Sequence, residues 1–295
     1  MTTMPDTLER ETFAPPAQAE APAPATGAGN PVWPRRLWRA LWPPLSAVTL
    51  GLGLWQLVAL SGWRPSYLLP GPLPVLRRVL EEARSGTLFT AAGVTLQRAA
   101  IGYALALLIG TGIGLLIARG RMLRAATASL ILGLQSMPSV AWFPLAILLF
   151  QLSERAIVFV VVLGAAPSIA NGLLAAFDHV PPALLRAARV LGARGPRLYW
   201  HVLLPAALPD FVSGMKQAWA FAWRSLLAGE LLVIVAHRPS IGAQLQFARD
   251  FSDAEGLLAW MLVILIIGIV VEALIFTPIM RRIRAHRGLI DAGAR

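Results

Sequence analysis

Four ionisable side chains lie in or beside long apolar runs: Lys216, Arg224, Glu230 and Glu272. A charge inside a bilayer-crossing helix costs about 2.5 kcal/mol or more, so such groups are functional candidates by default. Lys216 stands near the start of its run, from which a long side chain reaches the interface. Arg224 lies deeper. Glu230 follows six residues later, about 120° around at about 100° per residue, so the two do not pair within one helix. Arg224 therefore requires a partner elsewhere, and Glu272 is the candidate. For Glu230, a gating and a packing role both fit. Gln135, Ser136 and Pro138 form a second polar group beside a proline-broken run, and Ser168 and Asn171 a third in the run after it. A break that lines a solute path and a kink that merely helps packing both fit these residues.

Other chemistries find no support. A Walker A loop needs a Gly-Lys-Ser/Thr end to hold phosphate and Mg²⁺, and the sole lysine sits in Met-Lys-Gln. His179, His201, His237 and His286 are scattered, without metal-ligand spacing. No nucleophile-and-base pattern stands out, so the expectation is no enzyme, no metal and no cofactor in this chain. Energy must then come from a partner or a gradient.

Composition points to the membrane. The chain is 57% hydrophobic and 14% charged, with mean hydropathy +0.65, against about 45–50% and about 25% for soluble domains. Its net charge of +11 is almost all arginine, clustered at the ends of apolar runs as the positive-inside rule expects. This disfavours nucleic acid as the partner. Cysteine is absent, so thiol chemistry is too.

The elements follow from these runs. Residues 1–36 read as a disordered cytosolic tail, too poor in aliphatic periodicity to offset ordering entropy. Residues 37–92 hold a first span near 44–60 and an extracytoplasmic helix near 74–85. In that helix Val75, Leu76, Val79, Leu80 and Ala83 share a face, and Arg77/Glu81 and Arg78/Glu82 are spaced as i,i+4 pairs. Residues 93–285 form the core, with spans near 99–118, 125–152, 155–177, 211–236 and 256–280. Ala106, Gly110, Gly114 and Ala118 put small residues on one face, suited to close helix packing within the chain. Residues 286–295 are a closing tail. About six crossings put both termini on one side. Arg35, Arg36, Arg39, Arg119, Arg121, Arg124, Arg186, Arg189, Arg194 and Arg197 fall on that side, which outweighs the other by roughly two to one and marks it cytosolic. Arg64, Arg77, Arg78, Arg84, Arg98, Arg155, Arg238 and Arg249 are counted on the opposite side.

Residues 178–210 separate two spans on the cytosolic side. Pro181 and Pro182 can open a helix. Leu184, Leu185, Ala188 and Leu191 make its apolar stripe, and Gly192 supplies a left-handed stop. Pro205 and Pro209 restart the chain. The spacing Ala187-Ala188, three residues, Gly192, nine residues, Val202, one residue, Leu204-Pro205 resembles the EAA loop of ABC-importer permeases. Arg186 stands where that motif has Glu, which leaves open any contact made by that carboxylate. Leu-Leu-Pro-Gly-Pro at 68–72, Met-Pro-Ser-Val-Ala-Trp-Phe-Pro-Leu-Ala at 137–146 and Ala-Trp-Arg-Ser-Leu-Leu-Ala-Gly-Glu-Leu-Leu at 222–232 resemble the nitrate/sulfonate/taurine class of the binding-protein-dependent transport family. The resemblance covers residues 68–290.

That resemblance implies an all-α integral membrane protein with the type I ABC importer permease (MetI-like) fold. It implies ABC ATPase subunits that bind ATP and Mg²⁺, a second permease subunit, here an identical copy, and an extracytoplasmic solute-binding protein, all at a bacterial inner or plasma membrane. It makes Arg186, Ala187, Ala188, Leu191, Gly192, Val202, Leu204 and Pro205 the ATPase-coupling residues. Gln135, Ser136, Pro138, Ser168, Asn171, Arg224 and Glu230 are then candidates for the solute path. The family's anionic solutes add an anion contact as a second reading of Arg224. A stand-alone secondary transporter or channel would instead carry inverted repeats with paired broken helices; only one broken span is visible.

Overall fold

A computed structural model describes residues 33–118 and 120–285. The tails expected at 1–32 and 286–295, and Arg119, lie outside the described residues. Among those described, all regular structure is helical. Helix α1 spans Trp33–Leu60, with its apolar part at Leu45–Leu60. It therefore begins eleven residues before the expected span start at 44, and the expected 36/37 boundary falls inside it. Met1–Leu52 is a unit by itself, and the elements below belong to the second unit, Gly53–Arg295.

Helix α2 (Pro72–Arg84) buries Val75 and leaves Leu76 and Leu80 half exposed. Arg78 meets Glu82 at 3.3 Å, as its spacing requires, but it also reaches Glu81 at 3.8 Å and Asp253 at 3.3 Å. Helix α3 (Thr87–Ala118) is 32 residues long and starts twelve residues before the expected span. Helix α4 (Arg121–Ser136) stops where Pro138 forces Met137 into extended backbone, φ −73°, ψ 130°. A 3₁₀ turn, Ser139–Trp142, leads to α5 (Phe143–Phe150), and the two arms of this run meet at 95°.

Helix α6 (Glu154–Asp178) is the centre of the core. Ala156, Ile157, Val160, Val161, Ala165 and Ile169 are all buried. Helix α3 lies against it through the small-residue stripe: a Cβ at Gly110 would stand 2.5 Å from the Ala166 carbonyl oxygen. On the other side α9 (Leu204–Leu232) approaches as closely, with Gly172 and Gly214 back to back. The expected intrachain role of the stripe is thus observed. Small residues let backbones approach where lipid supplies no hydrophobic drive.

Between α6 and α9 lie α7 (Pro182–Val190), α8 (Pro196–Leu198) and a π turn at Tyr199–Leu203. Beyond α9, Ser240 caps α10 (Ile241–Asp250) and Asp253 caps α11 (Ala254–Val271), each side chain accepting a backbone N–H in its first turn. A π turn at Glu272–Phe276 joins α11 to α12 (Thr277–Ala285).

By length and composition, Thr87–Ala118, Glu154–Asp178 and Ala254–Ile283 suffice to cross a membrane, and the bent pair makes a fourth if it counts as one span. Leu45–Leu60 is shorter than these. Helix α9, at 29 residues, is about 43 Å long. It carries Asp210, Lys216, Arg224 and Glu230, so its length rather than uniform apolarity suits it to crossing.

Candidate coupling loop, cavities and a buried ion cluster

The loop after α6 takes the form its residues require. Pro182 occupies the first turn of α7. Gly192 has φ +86°, the left-handed conformation that ends a helix. Its N–H donates to the Arg189 carbonyl at 3.0 Å, and the Ala193 N–H donates to the Ala188 carbonyl at 2.9 Å, a Schellman closure. Ala188 is buried, and Leu185 packs on Ala176, Val180 and Ala207. Leu191 departs from the expected stripe: it caps the helix and is 87% exposed, beside Val190 at 88%. Arg186 and Ala187 are exposed too. Leu204 begins α9, and Pro205 stands in its first turn, where the missing N–H costs no helical bond. Pro209 lies inside that helix rather than ahead of it. Val202 is half-buried in the π turn.

Two cavities, each of about 250 Å³, lie beside the broken run. One is lined by Gln135, Ser168 and Asn171, together with His179, Asp210 and Gln217. The other is lined by Gln135, Ser136, Pro138 and Arg224, together with Ser139 and Trp142. Gln135 belongs to both. Six of the seven residues expected along a polar path thus line two adjoining cavities.

Glu230 is the exception. It is fully buried and takes part in a compact ion cluster. Arg98 donates through Nη1 to Glu230 at 2.9 Å and, through Nε and Nη2, to both oxygens of Glu154 at 2.6 Å each. The second Glu230 oxygen accepts from the Thr95 hydroxyl at 2.9 Å and the Gly242 N–H at 3.1 Å. Thr95 in turn accepts from the Ile241 N–H at 3.0 Å. Arg238 closes the rim, 3.7 Å from Glu154 and donating to Gln97 at 3.0 Å. The cluster ties α3, α6, α9 and the start of α10 together. Bidentate, charge-assisted bonds suit a planar guanidinium held out of water.

The cluster contains one residue that sequence reasoning misses, and one expected pair is corrected here. Arg98, counted from the sequence only as an extracytoplasmic charge, is 3% exposed. Hydropathy reads a charge as solvent-facing, but a guanidinium satisfied by two carboxylates is stable inside. A signal was present, since Ala91, Thr95, Arg98 and Gly102 continue the small-residue stripe of α3 backwards by helical steps, and all are buried. The expected pair is not formed: Arg224 does not meet Glu272. Lys216 Nζ holds the Glu272 carboxylate. Arg224 instead donates from Nε to its own helix at Ala220, 3.1 Å away, and lies over the Phe221 ring at 4.9 Å.

A helical membrane subunit with a broken run beside polar cavities, and a short helix presented between two long ones, has the architecture of a transport permease. Residues 110–285 match the family described as binding-protein-dependent transport system inner membrane component, and the chain belongs to that family. It is the permease of an ABC importer, in the nitrate/sulfonate/taurine class. The chain is similar to the taurine transport system permease protein TauC of Escherichia coli, 29% identical over 270 residues, covering 87% of this chain and 96% of the relative. It is also similar to the bicarbonate transport system permease protein CmpB of Synechococcus elongatus, 30% identical over 201 residues, 64% of this chain and 71% of the relative. Among solved structures, an inward-facing MetNI methionine ABC transporter matches with TM-score 0.58 at 20% identity, covering 66% of this chain and 96% of that one. This likeness supports the all-α, MetI-like fold.

Proposed function

We propose that this chain carries a small oxyanion across a bacterial inner membrane, driven by ATP that separate ABC ATPase subunits bind with Mg²⁺ and hydrolyse. Sulfonate, taurine, nitrate and bicarbonate are the solutes in view, the taurine and bicarbonate relatives supporting two of them. An extracytoplasmic binding protein delivers the solute, and a second, identical permease completes the path. Six crossings, with residues 1–36 and 286–295 in the cytosol, put the 178–210 loop on the ATPase side. Residues 37–92 form the first crossing and external helix, and 93–285 the core.

The observation that carries the coupling role is the exposed tip of α7. Val190 and Leu191 stand almost fully in the open, held by the Gly192 closure, with Arg186 and Arg189 beside them. A short helix with an apolar tip suits a groove on a partner. Leu185 of α7 packs on Ala207 of α9 and Ala188 is buried, while Val202, Leu204 and Pro205 lead the chain from the loop into α9, so displacement of the tip reaches α9 through few flexible bonds.

The test is co-purification of the full chain with candidate ABC ATPases, comparing wild type with Leu191→Asp and Gly192→Pro. The expected result is capture by wild type and loss in both variants, with Leu191→Asp retaining the wild-type elution volume. A wild-type chain that captures no ATPase, and moves ethanesulfonate into liposomes without ATP, would overturn the proposal.

A further inference from the structure

The cavity beside the break holds one cation and no anion. Arg224 lines it, and no carboxylate does. Among the described residues no carboxylate lies within ion-pair distance of Arg224. Its Nε is bound to the Ala220 carbonyl, and the side chain is exposed, so the remaining guanidinium nitrogens are open to a ligand. Gln135 lines the same cavity, and its Nε2 is occluded without a hydrogen-bond partner. A buried unpaired amide donor is uncommon because desolvation costs it a bond to water. The same side chain lines the neighbouring cavity. Met137, Val140 and Trp142 add an apolar wall, and Ser139 a hydroxyl.

We infer that Arg224 and Gln135 form an anion subsite for a small oxyanion bearing a short apolar tail. The inference rests on the permease reading above and assigns the solute's charged end to these two side chains. Arg224 supplies paired N–H donors in a rigid fork, matched to two oxygens of one anion. A turn of the Gln135 side chain brings its occluded, unpartnered N–H donor to a third oxygen, or a second lone pair, when the anion arrives. The Met137, Val140 and Trp142 wall accepts the tail. With no counter-charge in the cavity, the cation is neutralised only when solute arrives, so cations are repelled and anions retained. Because Gln135 reaches both cavities, it can hand the anion from the Arg224 side towards Asn171 and Ser168. Asp210 lines that second cavity, and its charge favours onward release.

The test uses the purified full chain in lipid nanodiscs, titrated calorimetrically at fixed ionic strength. The probes are sodium ethanesulfonate, sodium nitrate and ethylammonium chloride. Ethanesulfonate is expected to bind more tightly than nitrate, and ethylammonium not at all. Arg224→Gln is expected to weaken ethanesulfonate binding by about tenfold or more, since a charge-assisted pair is lost. Arg224→Lys falls between, and Gln135→Leu weakens binding by a smaller factor. Absence of anion binding in wild type, unchanged affinity in Arg224→Gln, or equal binding of ethylammonium would each overturn the subsite. Equal binding of nitrate and ethanesulfonate would overturn the tail assignment. If Arg224→Gln fails to fold, Gln135→Leu decides the matter. ATPase capture by the same preparations separates the two readings: captured ATPase without anion binding sinks the subsite alone, whereas no capture sinks the permease coupling.

Discussion

Arg98 Nη1 and Glu230 Oε1 meet at 2.9 Å, although 132 residues separate them in the chain. Both side chains are out of solvent, Arg98 at 3% and Glu230 at 0% exposure. Each has further partners, so the pair is the middle of a satisfied network rather than an isolated charge pair. Breaking such a pair by removing one member costs about 3–5 kcal/mol, because the other charge stays buried.

Glu230→Ala should therefore destabilise the chain, leaving the Thr95 hydroxyl and the Gly242 N–H without their acceptor and Arg98 with Glu154 alone. Glu230→Gln should cost less, since its amide oxygen still accepts from Thr95 or Gly242 and Glu154 still neutralises Arg98. Thermal unfolding of the detergent-purified variants checks the order. A Glu230→Ala chain as stable as wild type would show that the network contributes nothing to folding.

The Lys216–Glu272 pair predicts a different pattern. Both side chains are about half exposed, 47% and 53%, so the pair should contribute about 1 kcal/mol or less. A double-mutant cycle on Lys216→Gln and Glu272→Gln should show coupling. The same cycle on Arg224→Gln and Glu272→Gln should show none. Coupling in the second cycle and not the first would reverse the assignment.

Gly214 tests the packing of α9 on α6. A Cβ there would lie 2.9 Å from the Gly172 Cα, a contact that only backbone movement relieves. Gly214→Val should cost about 1–3 kcal/mol or more as an overpacked site. Gly133, in α4, has open space where its Cβ would be, so Gly133→Ala should be neutral or mildly stabilising through helix propensity. Equal stability of the two variants would contradict the close α6–α9 approach.

Local chemistry carried much of this protein in one dimension. Proline and glycine placed the α7 helix, its stop at Gly192 and the break at Pro138, because each restricts its own backbone or that of its neighbour. The fourfold small-residue repeat named the face of α3 that meets α6, since 3.6 residues per turn keeps i and i+4 together. The apolar runs located both ends of α6 and the start of α11 closely. Helix starts were less legible: α1, α3 and α9 all extend further towards the N-terminus than their apolar runs, since a helix continues past the apolar stretch wherever its backbone can still bond.

Only the tertiary structure decided the charges. Arg98, Glu154 and Glu230 come from three helices, and whether they meet depends on the rotation of each about its axis. Hydropathy counts an arginine as exposed whether or not carboxylates await it, so Arg98 reads only as a charge on one side of the membrane and Glu230 as a path residue. The partner of Glu272 was decided in the same way, by which turn of α9 lies across from the π turn at residue 272. Sequence spacing determines which side chains share a helix face; the packing of faces determines which of them neutralise one another, because Coulomb and hydrogen-bond energies fall off over a few ångströms.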